Sequence, residues 1–393
     1  MNILMVHNYY QVSGGEDTVV NNEKTLLEMN GHNVVLYTRN NSELKSLSIM
    51  GKLLLPLSTI FSIKTFREIR KLIKNNNIQI VHVHNTLTMI SPAVYYAAYS
   101  CNIPVIQTIH NFRLLCPGAT FYRNGHICEE CVEKNLMCSV RYGCYRKSKI
   151  QTLLCAVNTT IHRATGIYKK LNYICLTNFN KKKLLELKQI NENQIYVKPN
   201  FVLDTDYFVP QKDRFNQVVF VGRLDKLKGV DFLLSTWNEF EKLYGDSIPE
   251  LHIYGSGPLE KWCDTYVNEH KSLKIKLKGF ISNSEVRHII GSSRAMILPT
   301  QWYEGFPMSI VEAYSVGTPV IGSDIGNVGS LIENGVLGYT FTLNDKNSLI
   351  KSILNINMLD CEKIKEIFNL KYSQCVNYEE LIFIYRDAIE RKK

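Results

Sequence analysis

Short apolar and β-branched runs alternate with longer stretches of helical periodicity along nearly the whole chain. In the first half the runs fall at 3–7, 34–38, 80–84, 104–110, 173–177 and 194–197, and in the second at 218–222, 251–254, 275–279, 295–299 and 319–323. Continuous apolar strands separated by helices mark a parallel sheet covered on both faces. The alternation breaks once, at 200–217 (NFVLDTDYFVPQKDRFNQ), where Pro210 and turn-forming polar residues replace periodicity and predict an interdomain linker. The expected fold is therefore α/β, with two Rossmann-like doubly wound domains over 1–205 and 206–377. A helix over 378–393, with Leu381, Ile382, Ile384 and Ile389 as its apolar positions, closes the chain against either domain. Open parallel sheets bind ligands beyond the carboxyl ends of their strands, so two such sheets facing each other would share one cleft.

Composition supports this division. With 393 residues, 45% of them hydrophobic, the chain is too long for one ordinary core and can fill two. The start, MNILMVHNYY, has no cationic region leading into a long apolar segment, so the expectation is a cytoplasmic protein whose mature chain begins near Met1. The stretch 49–63 is interrupted by Lys52 and Pro56 and is shorter than the roughly 20 apolar residues that cross a bilayer.

The net charge of +10 is localised, because 141–188 holds eleven Lys and Arg against the single acid Glu186. Such a stretch reads as a solvated face, or as contact with anionic lipid or a phosphate-bearing acceptor. With the apolar segment 53–63 it suggests peripheral docking at the inner face of the cytoplasmic membrane. No zinc-finger, RNA-recognition or helix-turn-helix signature accompanies it, and no nucleic-acid partner is expected.

Candidate chemistry sits in the loops after the strands. Glu304-Gly-Phe-Pro-Met-Ser-Ile-Val-Glu312 follows the run AMILPT; Pro307 suits a first helical turn, and Gly317 with Pro319 ends the helix. Glu304 then lies before the helix and Glu312 within it, above a helix N-terminus suited to a diphosphate. By spacing alone, two acids that only cap or solvate a helix would look the same. Gly222-Arg223-Leu-Asp-Lys-Leu-Lys228-Gly229 ends the run VVFVG and offers two cations on a glycine turn. Ser13-Gly14-Gly15-Glu16 opens a helix predicted over 18–29, and small residues there permit close backbone approach to an anion or form an ordinary loop. His110 ends the run PVIQTI, and His82, His84 and Asn85 end the run before it.

These segments resemble the family 4 glycosyltransferases, whose hallmark is a Glu-x7-Glu element followed by a Gly-x-Pro strand; here Ala-Tyr-Ser-Val-Gly-Thr-Pro-Val-Ile-Gly-Ser-Asp follows Glu312. The resemblance covers nearly the whole chain and is most specific in the C-terminal half. It implies the two-domain GT-B fold, a nucleoside-diphosphate-sugar donor and retention of anomeric configuration. It implies that Glu304 contacts the donor sugar, with Gly305, Phe306 and Pro307 beside it, and that Glu312 takes the ribose hydroxyls. Arg223 and Lys228 would neutralise the diphosphate after Gly222, which removes the need for a catalytic metal. Gly14 and Gly15 would reach the donor phosphates and acceptor, His110 the transferred sugar, and Gly255 and Phe280 the nucleotide. His82, His84 and Asn85 would line the acceptor side, and Lys198-Pro-Asn200 resembles the family's domain-end turn. In Asp324-Ile-Gly-Asn-Val-Gly-Ser330 the chain departs from the family, many members having Pro at Gly329 and Glu at Ser330. The implied acceptor is a glycan or polyprenyl-linked oligosaccharide of surface polysaccharide assembly. A sugar phosphorylase or epimerase of the same fold and a non-enzymatic zinc-dependent scaffold are the alternatives.

Of the eleven cysteines, Cys116, Cys128, Cys131, Cys138 and Cys144 cluster in 116–144 with His126 among them. A disulfide framework is disfavoured in a reducing compartment. A Cys-x2-Cys pair with two flanking cysteines has the chemistry of a tetrahedral structural zinc site, best met by Cys116, Cys128, Cys131 and Cys144. A single such pair is also compatible with packed thiols or a redox role.

Overall fold

The structure, a computed structural model, describes residues 1–11 and 14–392, and at 357 the backbone alone; Ser13 of the glycine-rich loop lies outside them. The chain divides into two compact units, one of 1–123, 127–200 and the segment from Gln374 onward, the other of 124–126 and 201–373. Each unit carries a six-stranded sheet.

The first sheet runs β2-β1-β3-β4-β7-β8, from β1 (Asn2–Tyr9), β2 (Asn33–Asn40), β3 (Ile80–Asn85), β4 (Val105–Ile109), β7 (Asn172–Cys175) and β8 (Ile195–Val197). Two short strands, β5 (Tyr122–Arg123) and β6 (His126–Ile127), lie in the cysteine-rich segment. Every neighbour in the six-stranded sheet is parallel. Its helices are α1 (Gly15–Met29), α2 (Ile49–Ile60), α3 (Ile63–Asn75), α4 (Ala93–Ser100), α5 (Glu130–Glu133), α6 (Met137–Tyr142), α7 (Lys149–Ala164) and α8 (Asn178–Leu185). The second sheet runs β11-β10-β9-β12-β13-β14, from β9 (Phe215–Val221), β10 (Glu250–Tyr254), β11 (Ile275–Gly279), β12 (Ser293–Leu298), β13 (Val320–Ser323) and β14 (Gly338–Phe341). It too is wholly parallel. Around it lie α9 (Val230–Tyr244), α10 (Glu260–His270), α11 (Asn283–Gly291), α12 (Met308–Ser315), α13 (Gly326–Leu331), α14 (Lys346–Asn355) and α15 (Cys361–Lys371).

Strand order decides where each unit can bind. In the first sheet the winding reverses between β1 and β3, and in the second between β9 and β12. Connections leave to opposite sides at such a point, which opens a crevice beyond the carboxyl ends of the two strands. The cores are apolar enough to hold these loops in place: Val218, Val219 and Phe220 on β9 and Leu233, Leu234, Trp237 and Phe240 on α9 are fully enclosed.

Three features depart from the periodic pattern. Helix α1 begins at Gly15, three residues before the predicted start, because the Asp17 carboxylate accepts the Gly14 N–H at 3.2 Å and extends the N-terminal turn. The last helix, α16 (Gln374–Glu390), starts four residues early and belongs to the first unit, where Leu381, Ile384 and Tyr385 are buried. Strand β14, reading Gly-Tyr-Thr-Phe, carries no apolar run and is a strand only through its pairing with β13. No single helix among the described residues is long and apolar enough to cross a membrane; α2 and α3 together pass on length and composition but bend by 59°.

Pairing of β13 with β14 needs a residue without a side chain at 338, where a Cβ would lie 1.8 Å from the Val320 carbonyl oxygen. Gly338→Ala is expected to push the edge strand off the sheet and cost about 1–3 kcal/mol in urea unfolding.

Candidate functional site

The second unit gathers its loops at the switch point. After β9 the chain turns through Gly222 and Arg223 into a short turn, Lys226–Lys228, capped by Asp225, whose side chain accepts the Lys228 N–H at 3.0 Å. Gly229 follows with φ +70, and a Cβ there would lie 1.9 Å from the Pro299 carbonyl oxygen. That close approach brings the loop after β9 against the loop after β12, and the Gln301 N–H donates to the Leu227 carbonyl at 2.8 Å. Gly255 sits with φ +140, its α-carbon face only room enough for hydrogen, because a Cβ would lie 1.9 Å from the Gly222 carbonyl oxygen.

These approaches place Lys228 Nζ 2.7 Å from Glu304 Oε2. Glu304 is 6% exposed, yet its Oε1 is buried with no hydrogen-bond partner. The carboxylate thus has one oxygen held by a cation and a second one available to a hydroxyl. The segment behind it is pinned by Asn327 on α13, whose amide donates to the carbonyls of Glu304, at 2.5 Å, and Gly305, at 2.6 Å. At the departure from the family pattern, a Cβ at Gly329 would lie 2.5 Å from Asp324 Oδ1, and Ser330 Oγ donates to the Asn327 carbonyl at 3.0 Å.

Pro307 immediately precedes α12, Phe306 packs against the core, and Glu312 lies within the helix. The first-turn amides of α12 have no carbonyl within the helix to bond and carry its positive dipole end. Burial raises the Glu312 carboxyl above its ordinary value, with Arg287 opposing. Arg223 projects into solvent, its Nε 3.1 Å from Asp225 Oδ2. Phe280, after β11, is 76% exposed.

The first unit holds a different arrangement at its own switch point. Gly14 and Gly15 are exposed at the start of α1, while Asp17, one turn in, reaches His7 Nε2 on β1 at 2.7 Å. His82 is fully buried, with Nδ1 2.7 Å from the Tyr385 hydroxyl and Nε2 2.7 Å from Thr108 Oγ1. It therefore braces the sheet and does not line an open surface, which corrects the expectation that it faces an acceptor. His84 and His110 pair at 2.9 Å, Nδ1 to Nε2, and line one cavity with Asn85, Gln107 and Arg113.

Beneath the histidines lies a group that periodicity did not single out. Glu23 of α1 is almost wholly buried, with Oε1 3.0 Å from Lys198 Nζ and Oε2 3.4 Å from His84 Nε2. Lys198 in turn donates to Asn377 Oδ1 on α16 at 2.8 Å. Glu23, His82 and His84 are also the group of three metal-ligating side chains, among the described residues, whose donor atoms lie within 4.8 Å of one another. The Lys198 ammonium already balances that carboxylate, so the donor set does not favour a cation. Burial lowers His82 to about 4, and burial with the neighbouring histidines drives His84 and His110 well down. All three are neutral near pH 7. One ring of the His84–His110 pair therefore donates its N–H to the other. One signal in the sequence could have found Glu23: it is a carboxylate on the helix face otherwise formed by Val19, Val20, Leu26 and Leu27.

Cys116, Cys128, Cys131 and Cys144 line one small cavity, joined by Cys138. Cys131 S–H donates to Cys116, which lowers the Cys116 thiol to about 6 and raises Cys131. The four sulfurs line one space, and thiols are the chemistry of a zinc donor set, but they are not among the side chains whose donor atoms lie within 4.8 Å of one another among the described residues.

With this geometry in view, residues 216–357 match the Glycosyl transferases group 1 family and residues 13–205 match Glycosyltransferase Family 4. The chain belongs to the family 4 glycosyltransferases of GT-B fold. Among relatives of this glycosyltransferase is an uncharacterized 41.2 kDa protein in the cps region of Klebsiella pneumoniae, 25% identical over 88% of each chain. Another is the UDP-Gal:alpha-D-GlcNAc-diphosphoundecaprenol alpha-1,3-galactosyltransferase of Escherichia coli, 26% identical over 80% of this chain and 78% of that one. Two solved structures share the fold. The lipopolysaccharide outer core galactosyltransferase WaaB in its apo form has a TM-score of 0.68 at 17% identity, with each chain covered fully. Anabaena HepE in complex with UDP has a TM-score of 0.66 at 14% identity, covering 98% of this glycosyltransferase and 100% of HepE.

Two outcomes follow from the first unit. Glu23→Ala leaves the Lys198 ammonium buried without its counter-ion and is expected to cost about 3–5 kcal/mol in chemical unfolding, whereas pairing Glu23→Leu with Lys198→Met restores most of the loss. The Glu16 carboxyl is raised from 4.5 to about 8, first by burial and then by Asp17, with Arg113 opposing. The folded chain then holds a proton that the unfolded chain releases, so stability should fall as pH rises from about 4.5 to about 8. Melting temperatures across that range should lose this component of the slope in Glu16→Gln.

Proposed function

We propose that this enzyme transfers a hexose-type sugar, with retention of anomeric configuration, from a nucleoside diphosphate to a glycan or polyprenyl-linked oligosaccharide during surface polysaccharide assembly. The observation that carries the reading is the Lys228–Glu304 pair at the switch point, with its second carboxylate oxygen unpartnered. In this reading Lys228 and Arg223 neutralise the diphosphate, and the amides at the start of α12 extend the same cradle. Glu304 Oε1 accepts a hydroxyl of the donor sugar, and Glu312 accepts the ribose hydroxyls. Gly222, Gly255, Gly305 and Pro307 allow the backbone to approach the nucleotide, while Phe306 and Phe280 offer ring surface beside it.

Gly14 and Gly15 are assigned to the donor phosphates and acceptor, and His110 to a hydrogen bond with the transferred sugar. As a neutral imidazole bonded to His84, His110 positions the sugar and does not serve as general base. The acceptor attacks from the face that the leaving phosphate vacates, and that phosphate takes the acceptor proton. Two cations stabilise the leaving charge in this scheme, so no catalytic metal is invoked. Support for the acceptor class comes from the Escherichia coli relative, named for a diphosphoundecaprenol substrate, and from the Klebsiella relative of a cps region.

Thermal-shift screening against nucleoside diphosphates and their sugars tests the reading most directly. A cognate ligand at 100 times its dissociation constant stabilises by about 2.7 kcal/mol. Lys228→Ala, which leaves the Glu304 carboxylate without its counter-ion, and Glu312→Ala are expected to lose that shift and to abolish transfer while remaining folded; wild-type turnover in both would refute the assignments.

We further propose that Cys116, Cys128, Cys131 and Cys144 hold a structural zinc, which would fasten the 116–144 segment through thiolate bonds. Protein purified without added metal is expected to contain about one equivalent by elemental analysis, and a content below about 0.2 equivalents would end the idea.

A further inference from the structure

The first unit leaves an apolar surface on two adjoining helices. On α2, Ile49, Met50, Leu53, Leu54 and Leu57 are all exposed, Ile49 by 82% and Leu53 by 69%. Their spacing of one, four, five and eight residues from Ile49 makes a single stripe. On α7, Ile150, Leu153 and Ile161 repeat the arrangement, with Ile150 83% exposed. The helices pack together, and His162 of α7 meets the Ile60 carbonyl at the end of α2 at 2.9 Å. Isolated exposed leucines need no explanation, but adjoining stripes on one unit do.

Charge around the stripes says what could cover them. Neither α2 nor α7 contains an acid. Lys52 lies on α2, and the turn from α6 into α7 exposes Arg141, Arg146, Lys147 and Lys149. An apolar stripe bordered by long basic side chains suits the boundary of an anionic bilayer, where the aliphatic side chains enter the acyl region and the cations stay among the headgroups. A second copy would bring like charges together. A transmembrane span is opposed by α3, which buries Thr65, Ile69 and Ile73 in the unit and carries Lys64, Arg67, Lys71 and Lys74 outside.

We propose that α2 and α7 form the face by which the enzyme rests on an anionic lipid bilayer, with Leu53 and Leu57 inserted and Arg146 and Lys147 at the headgroups. It deepens the proposed function, since a polyprenyl-linked acceptor would be anchored in the same bilayer, but it stands on the exposed stripes and their charge. The acid-free helices make the contact depend on both terms: removing either the apolar insertion or the cations weakens it.

The experiment is co-sedimentation of the full chain with vesicles of phosphatidylcholine alone and with about 30% phosphatidylglycerol. Wild type is expected to partition onto the anionic vesicles at least tenfold more strongly than onto the neutral ones. The L53E/L57E and R146E/K147E variants, all on exposed positions, should each lose on the order of tenfold in that partition. Equal partition of wild type and both variants, or no vesicle binding by wild type, overturns the proposal. So does a concentration-dependent dimer in light scattering that L53E/L57E dissolves, because the surface then belongs to a second copy. Nucleoside-diphosphate thermal shifts are read on the same samples. A retained shift with failed vesicle binding leaves the transferase reading standing, and vesicle binding without any shift does the reverse.

Discussion

The geometry of the second unit depends on one close backbone approach, that of Gly229 to the Pro299 carbonyl. Only a residue free to adopt φ +70 and lacking a Cβ lets the loop after β9 lie against the loop after β12. Once they are in contact, the ammonium of one loop and the carboxylate of the other meet at 2.7 Å, and neither side chain needs to search for its position. The pairing costs desolvation, and Asn327 offsets part of the freedom that would otherwise remain by holding the carbonyls of Glu304 and Gly305. A short helix that looks incidental in the sequence therefore acts as the support of the carboxylate.

The first unit solves a similar problem by burial. Glu23 comes from the first helix and Lys198 from the turn just after β8, and they are enclosed together with His82 and His84, which burial keeps neutral. Helix α16 returns from the far end of the chain to complete this group, through Asn377 to Lys198 and Tyr385 to His82. Two lone charges at these depths would each be far more costly than the pair, so the network ties residues distant in sequence to one conformation. His110 is held by His84 at the edge of that network, at 2.9 Å.

The positions of the candidate residues were legible before any coordinates. Arg223, Lys228 and Glu304 follow apolar runs and Glu312 falls in the helix after one of them, and the likeness of those segments to the family 4 elements singled them out. What was not legible was that Lys228 meets Glu304 directly, that Asn327 braces the loop, and that His82 faces inward to Tyr385. Each of these is a contact between segments separated by 23 residues or more. Strand β14 escaped for a related reason: Gly-Tyr-Thr-Phe has no intrinsic pattern, and its strand geometry is conferred by β13.

By itself the sequence determined the alternation of strand and helix, hence two parallel sheets, and the residue types that end up beyond their carboxyl ends. Those are local properties, written in periodicity, glycine placement and charge. The tertiary structure alone decided the strand order and with it the switch points, the enclosure of Glu23 with Lys198, the return of α16 to the first unit, and the exposure of the α2 and α7 stripes. Burial and pairing depend on which segments meet in space, and a one-dimensional pattern carries that only where the partners are neighbours along the chain.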